Sequence, residues 1–473
     1  MLDLIIRGGR VVTPSGVGVW DVGIQGGRIV AVAEPGVLTS DVARVLDASG
    51  KLVIPGGVDP HVHASWPISG TDGRPTLSAS PESVSKSALY GGTTTLVDFA
   101  EWKPGMTIEE AINEKEALWE AAHADHSLHV MLQGEFAPEV LDQVAEVVSA
   151  GYPSIKIYTT NIWPSIKGRM IPMGHVWALM EQASRAGAIL AVHCEDNELV
   201  MYSYEKMRRE DNIGVDSKAR VHSIMSEDVS FHRLLRLARY VEGAAIYLMH
   251  VSAKVGVDAI AEARSAGLPV YGETLHHYAS FTADMYLRPD GVLFHSTPSL
   301  KYEEDRARLW SGLIDGSLST MATDELCTPR AIKIHGGGLF DSLGGHVGVE
   351  TRVPIVYTEG VRKRSMSLER FVEVTSTNAA KLLGLYPRKG AIAPGSDADI
   401  VLFDPNVRKR LSAADLHDSD YSIWEGWDVE GWPETTILRG KVVVDKGELL
   451  SESGNGIRIP GKLMRTVQDR PVV

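Results

Sequence analysis

Residues 53–64 read VIPGGVDPHVHA. An apolar run breaks at two glycines and ends on two histidines, His61 and His63. Successive strand residues face opposite sides, so residues two apart face the same side and both imidazoles converge on one spot. Converging imidazoles suit a metal ion. An H-x-H pair alone is common, so the rest of the chain has to decide.

Working outward, seven more short apolar runs follow that first one (52–63): TTTLVDFA (93–100), SLHVMLQG (127–134), PSIKIYTT (153–160), AILAVHCED (188–196), AIYLMHVS (245–252), PVYGETL (269–275) and LSTMATDE (318–325). Segments with helical apolar spacing separate them, among them TIEEAINEKEALWEAA, GHVWALMEQASRAG and VGVDAIAEARSAG. Eight strand–helix units predict an α/β protein with a parallel sheet closed into a (β/α)8 TIM-type barrel. The rival, an open doubly wound sheet, would carry a Gly-rich phosphate loop after its first strand, and none follows here.

The chain ends read differently. LIIRGGRVV and DVGIQGGRIVAV near the start, and TTILRGKVVVDKGELL near the end, have short strands with glycine turns. Both ends are expected to build one small β-sandwich, with residues 1–54 and 386–450 flanking a barrel over 55–385. Residues 451–473 read as a polar tail too poor in apolar periodicity to fold alone.

The 473 residues carry a net charge of −14, which argues against nucleic acid or an anionic membrane as partner, since both need basic patches. The two cysteines, Cys194 and Cys327, imply no disulfide framework and fit a reducing compartment. No signal peptide and no apolar run of ~18 residues are visible, so a cytoplasmic location is expected.

In such barrels the reacting groups sit at the C-terminal ends of the strands. Those positions hold His61 and His63, Lys156, His193, His250 and Asp324. Each alone has a plain explanation: a core histidine, half of an ion pair, a helix cap. Four histidines, a lysine and an aspartate at five strand ends are poorly explained by packing, and histidines with a carboxylate suit zinc or a similar metal. The lysine is the odd member, because an ammonium repels cations.

This pattern resembles the amidohydrolase superfamily, and within it the cyclic amidohydrolases: dihydropyrimidinases, hydantoinases and their relatives. The resemblance rests on DPHVH, GGTTTLVDF (91–99), the strand-four lysine, VHCEDN (192–197), HVSA (250–253), GLPVYGET (267–274) and GSDADIVLFD (395–404), in that order. It implies two divalent metal ions, zinc or else manganese. His61, His63 and Asp324 would hold the buried ion and His193 and His250 the exposed one, with Lys156, carboxylated by CO2, bridging both. It also implies attack of a metal-bridging hydroxide on a cyclic amide or imide, with Asp324 as general base and then acid. A tail reaching a neighbouring subunit, and hence a homo-oligomer (dimer or tetramer), belongs to the same resemblance.

The chain departs from that family around the substrate. Asn161 stands where the family has an oxyanion tyrosine, and Tyr158 is expected to point elsewhere. Glu325 replaces a histidine, either perturbing the site or pointing away. STPSLK (296–301) replaces the family's substrate loop, making Ser296 and Ser299 candidates through their backbone, with Gly344 a further one. Trp66 and Trp163 either frame a mouth for an apolar or aryl-substituted ring or pack on neighbouring helices. The expected substrate is a cyclic amide such as a hydantoin or dihydropyrimidine. The alternatives are allantoin, dihydroorotate, a lactam or a linear amide on the same centre, or a metal-free scaffold of the same fold.

Overall fold

The two textures of the sequence become two sheets. The structure, a computed structural model, describes residues 1–38 and 42–473. Eight strands form the first sheet: β1 (Gly57–Asp59), β2 (Thr93–Glu101), β3 (Asp125–Met131), β4 (Ser154–Tyr158), β5 (Ile189–His193), β6 (Ala245–Leu248), β7 (Val270–Leu275) and β8 (Thr320–Ala322). Each pairs in parallel with the next. A parallel bridge from Val62 to Glu325, with the His63 amide donating to the Glu325 carbonyl at 2.8 Å, closes the ring. The barrel therefore shuts at the level of the candidate site.

The helices follow from local signals. Thr107 and Glu110 form a reciprocal capping box that starts the helix Ile108–Trp119. Its buried face is Ile108, Ala111, Ile112, Lys115 and Trp119, the spacing of a stripe laid on a sheet.

The run from 52 to 63 is not one strand. Leu52–Pro55 belongs to the second sheet, antiparallel to Ile400–Phe403 and parallel to Arg10–Val11, and the barrel begins at Gly57. The change of sheet falls on Gly56, whose amide donates to the Asp399 carbonyl at 2.8 Å. A Cβ there would lie 2.1 Å from Thr94 Oγ1, so only glycine passes between the sheets. His61 and His63 lie beyond the end of β1.

The second sheet is hydrogen-bonded through nine strands, from Leu2–Thr13 to Leu52–Pro55 and from Ile400–Arg410 to Glu448–Leu449. It folds over so that Leu4, Ile6, Val22, Ile24 and Ile29 share a core with Ile400, Leu402 and Ile437. Lys389 fastens it to the barrel, its buried ammonium pairing with Asp125 of β3 at 2.5 Å, Asp397 at 3.0 Å and Asp399 at 2.6 Å.

The tail is ordered against its own barrel instead of extending away from it. Ile459 N donates to His126 O at 2.7 Å, and Gly461 N to Gly151 O at 2.8 Å. Val467 is fully buried among Ile189, Ala191, Ala245 and Tyr247 at the N-terminal ends of β5 and β6. Ile459 and Val467 supply enough apolar surface to cover the barrel floor, although a periodic pattern is missing. Among the described residues no helix is long and apolar enough to cross a membrane.

Candidate metal centre

The C-terminal ends of the strands gather the candidate residues. Donor atoms of His61, His63 and Asp324 all lie within 4.8 Å of one another. His61 Nε2 is 3.2 Å and His63 Nε2 3.0 Å from the same oxygen, Asp324 Oδ1. His193 and His250 form a second pair with ring centroids 4.5 Å apart, and the His250 ring is 5.6 Å from that of His61. His250 and Asp324, each two residues past its strand, have φ of 41° and 52°. Non-glycine residues held in the left-handed region concentrate at functional sites, where surrounding structure sustains the strain.

Each group is held by a partner behind it. Glu273 on β7 accepts from His61 Nδ1 at 2.8 Å, from the Tyr247 hydroxyl at 2.7 Å and from the His250 amide at 3.1 Å. Glu195 meets His193 Nε2 at 2.8 Å and His222 Nδ1 at 3.0 Å. These carboxylates fix one ring nitrogen of His61 and of His193, leaving the other toward the centre, as outer-shell carboxylates do around metal ligands. Below them, His129 Nε2 donates to the Pro60 carbonyl at 2.8 Å, bracing the turn that carries His61 and His63.

Lys156 is 1% exposed, and among the described residues its ammonium meets only the Met249 sulfur, at 3.1 Å, and the rings of Tyr158 and Phe99. Burial pushes it down to about 7. A buried amine without an acidic partner is costly as a cation and reactive as a neutral base. Burial would raise the Asp324 carboxyl, but His61 and His63 outweigh it and hold the group well below the usual carboxylate range. Burial lowers His193 to about 4 against the pull of Glu195, and drives His250 well below its ordinary value, with His193 and Lys156 adding to the effect. Both imidazoles are thus neutral, the form that ligates.

Several expectations change. Tyr158 does not point elsewhere. Two residues after Lys156 on one strand, it faces the same side, with its ring 4.8 Å from Lys156 Nζ and stacked on His193 at 5.2 Å. Burial raises its hydroxyl to about 12, so it is a donor. Asn161 Oδ1 accepts from the amides of Arg169 and Met170 at 3.0 and 2.9 Å, which makes it a brace for loop 161–170. Ser296 Oγ bonds His277 Nε2 at 2.8 Å and Ser299 Oγ donates to the His222 carbonyl at 3.0 Å, so both hydroxyls are committed internally, and the contact expected of these two residues is one through the backbone. Thr297, between them, instead faces Gly344, where a Cβ would lie 3.2 Å from Thr297 Oγ1. Glu325 turns away: its Oε2 accepts from Val349 N at 2.9 Å, and burial with Asp418 raises its carboxyl well above the usual range. Cys194 and Cys327 are free, buried and bonded to Ser230 and the Asp418 carbonyl.

Glu273 and Glu195 had no assigned role from sequence, and Thr297 was covered only as backbone within the stretch 296–299. Glu195 carried a signal, a carboxylate two residues past a strand-end histidine. Glu273 shares a β7 face with Tyr271, but nothing local announces that His61 will meet it.

Comparison with known proteins gives the family. A model of the amidohydrolase family matches residues 52–443. A D-hydantoinase of Streptomyces coelicolor is 33% identical over 465 residues, spanning 96% of this chain and 97% of that protein. A dihydropyrimidinase of Rattus norvegicus is 33% identical over 483 residues, spanning 97% and 88%. The crystal structure of dihydropyrimidinase from Brevibacillus agri superposes with a TM-score of 0.92 at 32% identity, covering 98% of this chain and 100% of that one.

Proposed function

The chain belongs to the amidohydrolase family, in the cyclic amidohydrolase branch of hydantoinases and dihydropyrimidinases, and on that premise we propose that it opens the ring of a cyclic amide or imide by hydrolysis. The observation that carries this reading is Lys156: a fully buried amine with no acidic partner among the described residues, whose charge acts on His61 of one cluster and on His193 and His250 of the other. As a carbamate it would become the anion that both clusters lack between them.

The donor set fits divalent cations, because His61 and His63 converge on an ionised aspartate and carboxylates fix one ring nitrogen each of His61 and His193. His61, His63 and Asp324 would hold one ion, His193 and His250 the other, and carboxylated Lys156 both. Two such ions, zinc or manganese, would supply a nucleophile from water at neutral pH and polarise the substrate carbonyl.

The chain's own groups then divide the proton work. Asp324, held ionised by two histidines, takes a proton from the attacking water and returns it to the departing ring nitrogen. Water adds to the carbonyl carbon, the carbon–nitrogen bond breaks, and the products are a carboxylate and an N–H. The Tyr158 hydroxyl, kept protonated by burial, donates toward the carbonyl oxygen as its charge develops. A hydantoin or dihydropyrimidine would leave an N-carbamoyl amino acid. A homo-oligomer, dimer or tetramer, in the cytoplasm is part of the same proposal.

The test is metal content together with hydrolysis of hydantoin, dihydrouracil, phenylhydantoin, allantoin, succinimide and a lactam. About two metals per chain with opening of one ring supports the reading. Two metals with no ring opened moves the substrate to another amide. No metal bound when zinc and bicarbonate are supplied overturns it and leaves the scaffold.

A further inference from the structure

Beside the candidate centre lies a group of hydrogen-bond donors that has no acceptor. Lys218, on the short helix Lys218–Val221, is 1% exposed. Among the described residues its ammonium has no hydrogen-bond or ion-pair partner, only the rings of Trp163 at 5.4 Å and Tyr204 at 5.7 Å. The one acidic charge that bears on it is Asp341, whose Oδ1 is already bonded to Gly338 N at 2.8 Å. Among the same residues Trp163 Nε1 and Thr297 Oγ1 are buried without a partner, and neither ring nitrogen of His295 makes a hydrogen bond. Thr297, His295 and Trp163 border one spot, since a Cβ on Gly344 would meet Thr297 Oγ1 at 3.2 Å, His295 Cε1 at 3.8 Å and Trp163 Cζ2 at 3.8 Å, and Lys218 lies next to it, over the Trp163 ring and with its charge acting on His295. Lys333 adds positive charge nearby, but its ammonium donates to the carbonyls of His295, Leu343 and Gly345 and has no proton left for a ligand.

The spot adjoins the candidate centre. Trp163 packs with Phe99, Tyr158 and Met249 beside Lys156, and also with Tyr204 and Val221 beside Lys218. Behind it, His193 leads through Glu195 and His222 to the Tyr204 hydroxyl. A substituent leaving the ring along Trp163 therefore runs toward Lys218.

We propose that Lys218, with Trp163 Nε1 and Thr297 Oγ1, binds a carboxylate carried on the substrate, so that the ring opened here bears an acidic substituent. This rests on the ring-opening reading and names its substrate class. A buried ammonium is stable only when paired, and an uncharged aryl group would leave it unpaired. One free cation with two neutral donors matches a monoanionic carboxylate better than a phosphate, which draws on several cations. The competing account is an ammonium held by the two aromatic faces alone.

The experiment compares kcat/KM of the metal-loaded enzyme on two hydantoins, one carrying carboxymethyl at C5 and one carrying the isosteric carbamoylmethyl. The acid should be preferred by at least about tenfold, mostly through KM, as for a charge-assisted hydrogen bond. Lys218→Met should bring the ratio to about one. Trp163→Phe, which keeps a ring and removes the N–H, should lower it about threefold and does not depend on the fold of the Lys218 variant. An amide turned over as well as the acid overturns the proposal, as does an unchanged ratio in Lys218→Met. So does a ratio that collapses only in Arg169→Met, since Arg169, stacked on Tyr158 at 5.2 Å, is the other cation at this mouth. Failure of the ring-opening reading would show separately, as no hydrolysis of unsubstituted hydantoin or dihydrouracil. In that event calorimetric titration with the same two hydantoins decides: acid binding lost in Lys218→Met supports the site, and equal binding of acid and amide refutes it.

Discussion

Replacing Glu273 by glutamine removes one charge and almost no volume, yet it should loosen the metal centre. The carboxylate accepts from His61 Nδ1, the His250 amide and the Tyr247 hydroxyl. A carboxamide oxygen can keep the first two. Its NH2 then faces Tyr247, whose hydroxyl can turn to donate to Thr320 Oγ1, 2.7 Å away. The network stays satisfied, so unfolding is not the expected outcome. What is lost is the charge behind His61, which makes its imidazole a stronger donor. Outer-shell carboxylates of this kind are worth about 10–100-fold in metal affinity, or roughly 1.4–2.7 kcal/mol at 1.36 kcal/mol per decade. Glu273→Gln should lose metal to a chelator at about 10–100-fold lower chelator strength. With metal in excess it should regain most of its turnover. The assay is metal content across a graded chelator series, with melting temperature followed in parallel. Retention equal to the parent protein, with the fold intact, would mean that His61 holds no metal and would refute the reasoning.

Three further outcomes follow from the same structure. Deleting residues 451–473 uncovers the barrel floor; losing the burial of Ile459 and Val467 at about 1.5–3 kcal/mol each should lower stability by about 3–6 kcal/mol in thermal unfolding, with the opposite, catalytic end intact. Lys389→Met leaves the buried Asp399 without an ion-pair partner among the described residues, while Asp125 keeps Arg439 and Asp397 keeps Arg388, and should cost about 3–5 kcal/mol in denaturant unfolding. Asp399 and Asp125 outweigh burial and raise the Lys389 ammonium above its ordinary value, so that stabilisation is full below the unfolded lysine range and fades only at strongly alkaline pH. In acid the sign reverses for histidines: burial lowers His129 to about 3 and His346 to about 4, while unfolded histidine titrates near ~6.5. The unfolded chain then binds more protons, so urea midpoints should fall steadily from about pH 6.5 toward pH 4.

The sequence by itself determined the barrel and put His61, His63, His193, His250 and Asp324 at or just past strand ends, with Lys156 on β4. Alternation and helical spacing are local properties, and eight strand–helix units leave few ways to close a parallel sheet. Tertiary structure alone decided the rest. It split the run around Gly56 between two sheets, because that depends on Thr94 and Asp399, far along the chain. It supplied Glu273 to His61, a pairing 212 residues apart that no local pattern encodes. It turned the tail onto its own barrel floor, where Val467 is buried with Leu463, Met464, Val472 and Val473 packed around it, a fit that needs no periodic pattern. And it left Lys218 without a partner among the described residues beside Trp163, in surroundings assembled from parts of the chain that never adjoin in sequence.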